Sequence, residues 1–182
     1  MDIKYIPNFI PEPDKVLEIL VTELDWVKRG NTPRMEYYVS QFGFAYTYGT
    51  PPYEREYPSQ AKHSMITFIE YALQIETEST YEVCFLNRYE DQSDHLGWHA
   101  DDSPEMDDSR PICIVSLGVE REIWFRENGS NDDVTKLKLE NGSLCIMSAG
   151  FQDTHQHRIP KAGFMCGRRI SLTYRGYTNG SV

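Results

Sequence analysis

Residues 112–126 read ICIVSLGVEREIWFR, and residues 134–147 read VTKLKLENGSLCIM. Both are short runs rich in β-branched, aliphatic and aromatic residues, interrupted by Gly118 and by Glu140-Asn141-Gly142. An Asn-Gly pair between two such runs marks a tight turn between strands. The same texture continues on either side. It predicts strands at Glu82–Tyr89, Gly97–His99, Ile112–Leu117, Arg121–Arg126, Val134–Leu139, Ser143–Met147, His155–Ile159 and Arg168–Tyr174. About eight short strands with few helices between them point to a sandwich or jelly roll, mainly β, and argue against a parallel α/β sheet.

Upstream the pattern changes. Residues 11–27, PEPDKVLEILVTELDWV, place Val16, Leu17, Leu20, Leu24 and Val27 near one helical face, with Pro13 and Asp14 where a helix start tolerates them. Residues 59–74 read as a second helix with Ser59 as its cap. Between them, residues 29–58 hold eight aromatics from Tyr37 to Tyr57 among Gly and Pro, which suits a long loop system with short strands near 35–40 and 43–48. The expected organisation is one domain over 1–182, with helices and a lid over 1–80 and a β core over 81–177.

The chain has 182 residues, and 18 Lys+Arg against 28 Asp+Glu give a net charge of −10. That balance argues against a broad basic surface for nucleic acid, though not against local phosphate contacts. No apolar run approaches the ~20 residues of a membrane span, and neither a secretory leader nor a lipidation motif is visible. An intracellular protein, cytoplasmic or nuclear, is expected. Cys84, Cys113, Cys145 and Cys166 lack metal-clip spacing and read as reduced thiols. Trp26, Trp98 and Trp124 read as core, and Lys136 and Lys138 as solvent-facing.

Chemistry concentrates at His99-Ala100-Asp101. Residues i and i+2 of an extended segment point the same way, so a His nitrogen and an Asp oxygen can converge on one ion. A second His would complete a two-His, one-carboxylate facial triad, which leaves one face of an octahedral iron open. His155 and His157 are the candidates. Arg169 and Arg175 are six apart on a β pattern, hence on one face. Two inward arginines are costly unless they meet anions, and a small dicarboxylate suits two guanidinium forks.

FLNRY at 85–89, HADD at 99–102, HRIPKAG at 157–163 and RRISLTYRGY at 168–177 resemble, in order and spacing, the iron(II)- and 2-oxoglutarate-dependent dioxygenases of the AlkB family. The likeness runs over residues 30–177, and PICIVSLGVEREIWFR is similar to the alkylation-repair members. It implies a double-stranded β-helix (jelly roll) with flanking helices. It implies Fe(II) on His99, Asp101 and His157, with 2-oxoglutarate and O2 as co-substrates. Arg169 matches the partner of the distal carboxylate, Arg175 the contact to the carboxylate nearer the iron, and Asn87 and Tyr89 further co-substrate contacts. Ser171 stands where many relatives have Asn. The implied reaction is oxidative demethylation of bases such as 1-methyladenine or 3-methylcytosine in single-stranded DNA or RNA, with the methyl leaving as formaldehyde. The alternative is the same core acting on a protein side chain or small molecule.

PRMEYY and GFAYTYG resemble the family's nucleotide-recognition lid. By that match Tyr48 stacks on a flipped base opposite His99, Tyr46 and Arg34 line the pocket, and Asp102 can accept from an exocyclic amine. Lys28, Arg29, Arg34, Arg55, Arg110, Arg158, Lys161 and Arg168 are the candidates for a local cationic rim. No membrane and no obligate protein partner is expected, and a monomer is the default.

Overall fold

A computed structural model describes residues 2–49, 51–52 and 54–178. Twelve strands and three helices follow in chain order: β1 Ile3–Ile6, α1 Pro13–Glu23, β2 Met35–Ser40, β3 Tyr46–Tyr48, β4 Arg55–Tyr57 and α2 Ser64–Thr77 come first. Then come β5 Val83–Tyr89, β6 Leu96–His99, β7 Ile112–Gly118, β8 Arg121–Glu127, β9 Thr135–Leu139, β10 Ser143–Met147, α3 Phe151–Thr154, β11 His155–Ile159 and β12 Arg169–Arg175. They form a six-stranded sheet in the order β1-β10-β7-β12-β5-β2, a four-stranded sheet β6-β11-β8-β9, and the small pair β3-β4. Every pairing is antiparallel, and the two larger sheets make the jelly roll.

The six-stranded sheet is buried on both faces, and period-2 alternation decides what each face carries. On β12, Ile170, Leu172 and Tyr174 join Cys84, Leu86, Val115 and Leu144 under the helical residues Val16, Leu20, Ile66, Ile69 and Leu73. The opposite face packs Tyr89, Ile114, Cys145 and Met147 against Ile123, Phe125 and Ile159 of the smaller sheet. Arg169, Ser171, Thr173 and Arg175 point into that second layer, so β12 carries its polar residues to the centre of the molecule.

Several sequence expectations need correction. The first helix ends at Glu23, because Leu24 is already extended and Val27 bridges Glu36 beside β2. The second begins at Ser64, with His63 as its cap, accepting from Met65 N through Nδ1 at 3.0 Å. Ser59 is engaged elsewhere: its Oγ accepts from Ser40 N at 2.9 Å, which holds residues 59–60 along β2. The strand expected over 43–48 is confined to Tyr46–Tyr48. β1 and β4 were not foreseen, and β1 and β2 extend the main sheet at its two edges, so residues before 80 contribute to the jelly roll itself. Trp98 and Trp124 lie on the outer face of the smaller sheet under Arg158, not in the core. Trp26 does pack against the helical layer.

The Glu140-Asn141-Gly142 turn joins β9 to β10 with Gly142 at φ 78°. At the β7–β8 turn, Gly118 has φ 93°, and a Cβ there would lie 2.3 Å from the Arg168 carbonyl oxygen. Only glycine fits that approach. No described helix is long and apolar enough to cross a membrane.

Candidate active site

His99 ends β6, Asp101 lies two residues on, and His157 sits directly opposite His99 in the β6–β11 register. Their ligand atoms all lie within 4.8 Å of one another. His99 Nε2 is 3.6 Å from Asp101 Oδ1, and His157 Nε2 is 3.6 Å from Asp101 Oδ2. His99 Nδ1 contacts the Gly97 carbonyl at 2.9 Å; a carbonyl only accepts, so that nitrogen carries the proton and Nε2 presents its lone pair. Asp101 is positioned through its backbone N–H, which donates to Gln152 Oε1 at 2.9 Å. Of the two histidines left open by sequence, His155 instead stacks on Phe151, its Nδ1 2.7 Å from Thr154 Oγ1.

The electrostatics suit a cation. Burial, with His99 alongside, pushes His157 down to about 3, so its imidazole is neutral at ordinary pH. Burial likewise lowers His99. Burial alone would raise Asp101, but Arg175, whose Nη2 is 2.7 Å from Oδ1, holds the carboxyl below its usual range. Two neutral imidazoles and a carboxylate are the protonation states a divalent metal requires.

A narrow cavity runs from this triad between the sheets. Asn87, Tyr89, Arg169, Ser171, Thr173 and Arg175 line it together with all three candidate ligands. β12 lies between β5 and β7, which sets Ser171 opposite Asn87 and Arg169 opposite Tyr89. Arg169 is fully buried, donates from Nη2 to Ser116 Oγ at 2.9 Å, and has its Cζ 5.3 Å from the centre of the Tyr89 ring. Among the described residues its Nε and Nη1 have no hydrogen-bond partner, and neither do Asp101 Oδ2, His157 Nδ1, Tyr89 Oη or Arg175 Nε. Buried polar atoms are rarely left unpaired. Unsatisfied donors at the arginine end and a lone carboxylate oxygen at the triad are what a dicarboxylate and a metal ion would satisfy, so the residues fit both groups.

A wider pocket adjoins this cavity at His99 and Asp101, bounded by Arg34, Glu36, Tyr46, Tyr48, Tyr57, Phe85, Asn87, Leu96 and Arg175. Arg34 is held by its Nε, which donates to Asn87 Oδ1 at 3.0 Å, and by Glu36 Oε1 at 3.0 Å. Tyr46 is buried with its hydroxyl 2.8 Å from Ser103 Oγ, while Tyr48 keeps 43% of its surface exposed at the mouth. Asp102 is exposed and lines an adjoining groove with Tyr48, Trp98 and Gln156, outside the wider pocket.

Sequence reading missed Glu36, Tyr57 and Thr173 as lining residues. Glu36 shares a strand face with Arg34 two residues earlier, and that i, i+2 acid–base pair was the available signal. Tyr57 gives none, because its place depends on the unforeseen β3–β4 hairpin. Of the expected cationic rim, Arg29 and Arg34 pair with Glu36, Arg110 with Glu82 and Asp107, and Arg168 with Glu90.

The sequence profile of the 2OG-Fe(II) oxygenase superfamily matches residues 4–175. Alpha-ketoglutarate-dependent dioxygenase alkB homolog 3 of Rattus norvegicus is 28% identical over 187 residues, covering 93% of this chain and 62% of that protein. DNA oxidative demethylase ALKBH2 of Mus musculus is 33% identical over 106 residues, 54% of this chain and 44% of that protein. The chain therefore spans less than two thirds of the length of these relatives. The solved structure titled "The structure of OsALKBH1" superposes with a TM-score of 0.67 over 96% of both chains at 18% identity, which establishes a shared fold. Such membership implies iron(II), 2-oxoglutarate and O2 as cofactor and co-substrates. With the profile spanning nearly the whole chain, the chain belongs to the 2OG-Fe(II) oxygenase superfamily, within which it is similar to alkB homologs.

Proposed function

We propose that the chain is an oxidative demethylase of alkylated bases in single-stranded DNA or RNA. One observation carries this reading: two pockets of different character meet at His99 and Asp101. The inner one ends on a buried guanidinium, and the outer one is walled by tyrosines and opens to solvent beside His99. A small dianion in the inner pocket and a planar aromatic group in the outer one can therefore each reach His99 and Asp101.

In this reading His99, Asp101 and His157 hold iron(II). Arg169 neutralises the distal carboxylate of 2-oxoglutarate, with Tyr89, Asn87 and Ser171 along its length and Arg175 near the triad. Iron and 2-oxoglutarate, when bound and supplied with O2 as the oxidant, would provide the oxidising chemistry that removes the methyl group as formaldehyde. The chain's own residues bind, orient and exclude water. Tyr48 offers its ring face to a base taken out of the stack, a contact worth about 1–3 kcal/mol. Arg34 is immobilised by Asn87, Glu36 and the His95 carbonyl, so it presents a fixed charge to the wall of the base pocket. Asp102, on the adjoining groove, is placed to accept a hydrogen bond from the neighbouring part of the substrate.

Buried free thiols at Cys84, Cys113 and Cys145 favour a reducing compartment, cytoplasm or nucleus, and the chain is proposed to act as a monomer without an obligate protein partner. The test is formaldehyde release from oligonucleotides carrying 1-methyladenine or 3-methylcytosine, set against methylated peptides. Release from the peptides alone would move the substrate class to proteins.

A further inference from the structure

The outer face of the four-stranded sheet carries a ladder of cations and indole rings. Strand register sets Lys136 beside Trp124 and Trp124 beside Arg158, and Trp98 follows on β6. Lys136 Nζ is 4.1 Å from the centre of the Trp124 ring. Arg158 Cζ is 4.3 Å from Trp124 and 4.9 Å from Trp98, and Arg126 Cζ lies 4.3 Å from Trp98. Four strands about 4.8 Å apart make the row roughly 14 Å long.

The charge on this face is unusual for the chain. Among the described residues none of Lys136, Arg126 and Arg158 forms an ion pair with a carboxylate, although the net charge is −10. Lys138, two residues along β9, does pair with Glu120. The nearby Glu122 accepts from Trp124 Nε1 at 2.7 Å. Arg126 spends its donors on Gln156 and Asn131, which are neutral, and Arg158 Nε has no partner. The indoles hold these cations by their faces, and the Lys136 ammonium and the Arg158 Nη groups make no hydrogen bond among the described residues, so they can meet anions with little further loss of side-chain entropy, while Arg126 adds positive charge held by neutral partners.

The ladder is continuous with the base pocket. The groove lined by Tyr48, Trp98, His99, Asp102 and Gln156 shares Tyr48 and His99 with that pocket and Trp98 with the ladder. We propose that the ladder is a track for the single strand that flanks the modified base, with phosphates on Lys136, Arg126 and Arg158. This rests on the demethylase reading for its occupant.

The test uses the native chain and pairs a binding measurement that needs no catalysis with a turnover measurement. Anisotropy of a fluorescent 15-residue oligothymidylate and of a trinucleotide is measured for the native chain, for Lys136→Gln and for Lys136→Gln/Arg126→Gln, across a salt series. Turnover of a methylated trinucleotide is measured in parallel. The native chain is expected to bind the 15-mer tighter than the trinucleotide, and the double variant to bind the 15-mer about 5- to 10-fold more weakly. Its slope of log affinity against log salt should shrink by about 0.7 for each cation removed. Trinucleotide turnover should not change. Equal loss of 15-mer and trinucleotide binding together with a lowered Tm would make the ladder a structural device and overturn the track. Unchanged 15-mer binding in the double variant would do the same while leaving a demethylase that turns over the trinucleotide. Ladder-dependent 15-mer binding without any trinucleotide turnover would uphold the track and remove the demethylase reading.

Discussion

Arg169→Met is expected to weaken 2-oxoglutarate binding and, at the same time, to stabilise the protein in the absence of co-substrate. Arg169 has no exposed surface, and its guanidinium donates one hydrogen bond, to Ser116, while Nε and Nη1 donate none. Burial, together with Arg121 nearby, lowers its pKa to about 10, so it stays charged at neutral pH. A buried charge that lacks an anion is a standing cost. Replacing such charges by apolar side chains of similar volume often stabilises by about 1–4 kcal/mol. At roughly 2–4 °C per kcal/mol for a chain of this size, Tm should rise by several degrees. Binding moves the other way. Two charge-assisted hydrogen bonds to a carboxylate, at about 1.5–3 kcal/mol each, amount to at least about 3 kcal/mol. That corresponds to a roughly 100-fold increase in the KM for 2-oxoglutarate. Thermal melts with and without 2-oxoglutarate, under argon with iron(II), read both effects: the co-substrate should raise the Tm of the native chain and leave that of the variant unmoved. An Arg169→Met protein that melts lower than the native chain and still gains stability from 2-oxoglutarate would refute the reasoning.

Other perturbations test separate parts of the structure. Tyr48→Ala should lower kcat/KM for a methylated oligonucleotide by about 5- to 100-fold, the worth of one stacked base, while leaving the KM for 2-oxoglutarate unchanged in steady-state kinetics. Gly118→Ala should cost more than the ~1 kcal/mol of a left-handed alanine, because the new methyl meets the Arg168 carbonyl; denaturant unfolding reads the loss. Burial alone would raise the Glu82 carboxyl, but Arg110 and the Tyr177 N–H hold it below its ordinary value. Its contribution to stability is therefore complete above the unfolded carboxyl's pKa, about 4.5, and is lost as pH falls through the lower folded value. Glu82→Gln should accordingly flatten the fall of Tm as pH drops below about 4.5.

The jelly-roll strands from β5 onward were legible because each is a short apolar run closed by a turn signal, as Glu140-Asn141-Gly142 shows at the β9–β10 turn, whereas β1 is a strand only by pairing with β10. The same period-2 logic placed Arg169 and Arg175 on one face, and β12 does bury both. Helix ends were less legible. Ser59 carries a good capping side chain, but its hydroxyl bonds to Ser40 across the sheet, a tertiary contact that local sequence does not contain. The short β4 was hidden for the same reason, since Arg55–Tyr57 is a strand only by pairing with Tyr46–Tyr48. Trp98 and Trp124 misled because indoles usually seek the core; here cations stacked over their rings let them stay at the surface. His155 and His157 could not be separated by spacing, and the β6–β11 register, with His157 opposite His99, separates them.

The central claim is oxidation coupled to a methylated base, and succinate production measures it most directly. The native chain is supplied with iron(II), 2-oxoglutarate and O2, with and without a single-stranded oligonucleotide carrying 1-methyladenine, beside Asp101→Ala. A demethylase should form succinate faster with the oligonucleotide, release one formaldehyde for each succinate formed in the coupled reaction, and lose both in Asp101→Ala. Succinate formed at the same rate with or without the methylated strand, and no formaldehyde, would contradict a nucleic-acid substrate.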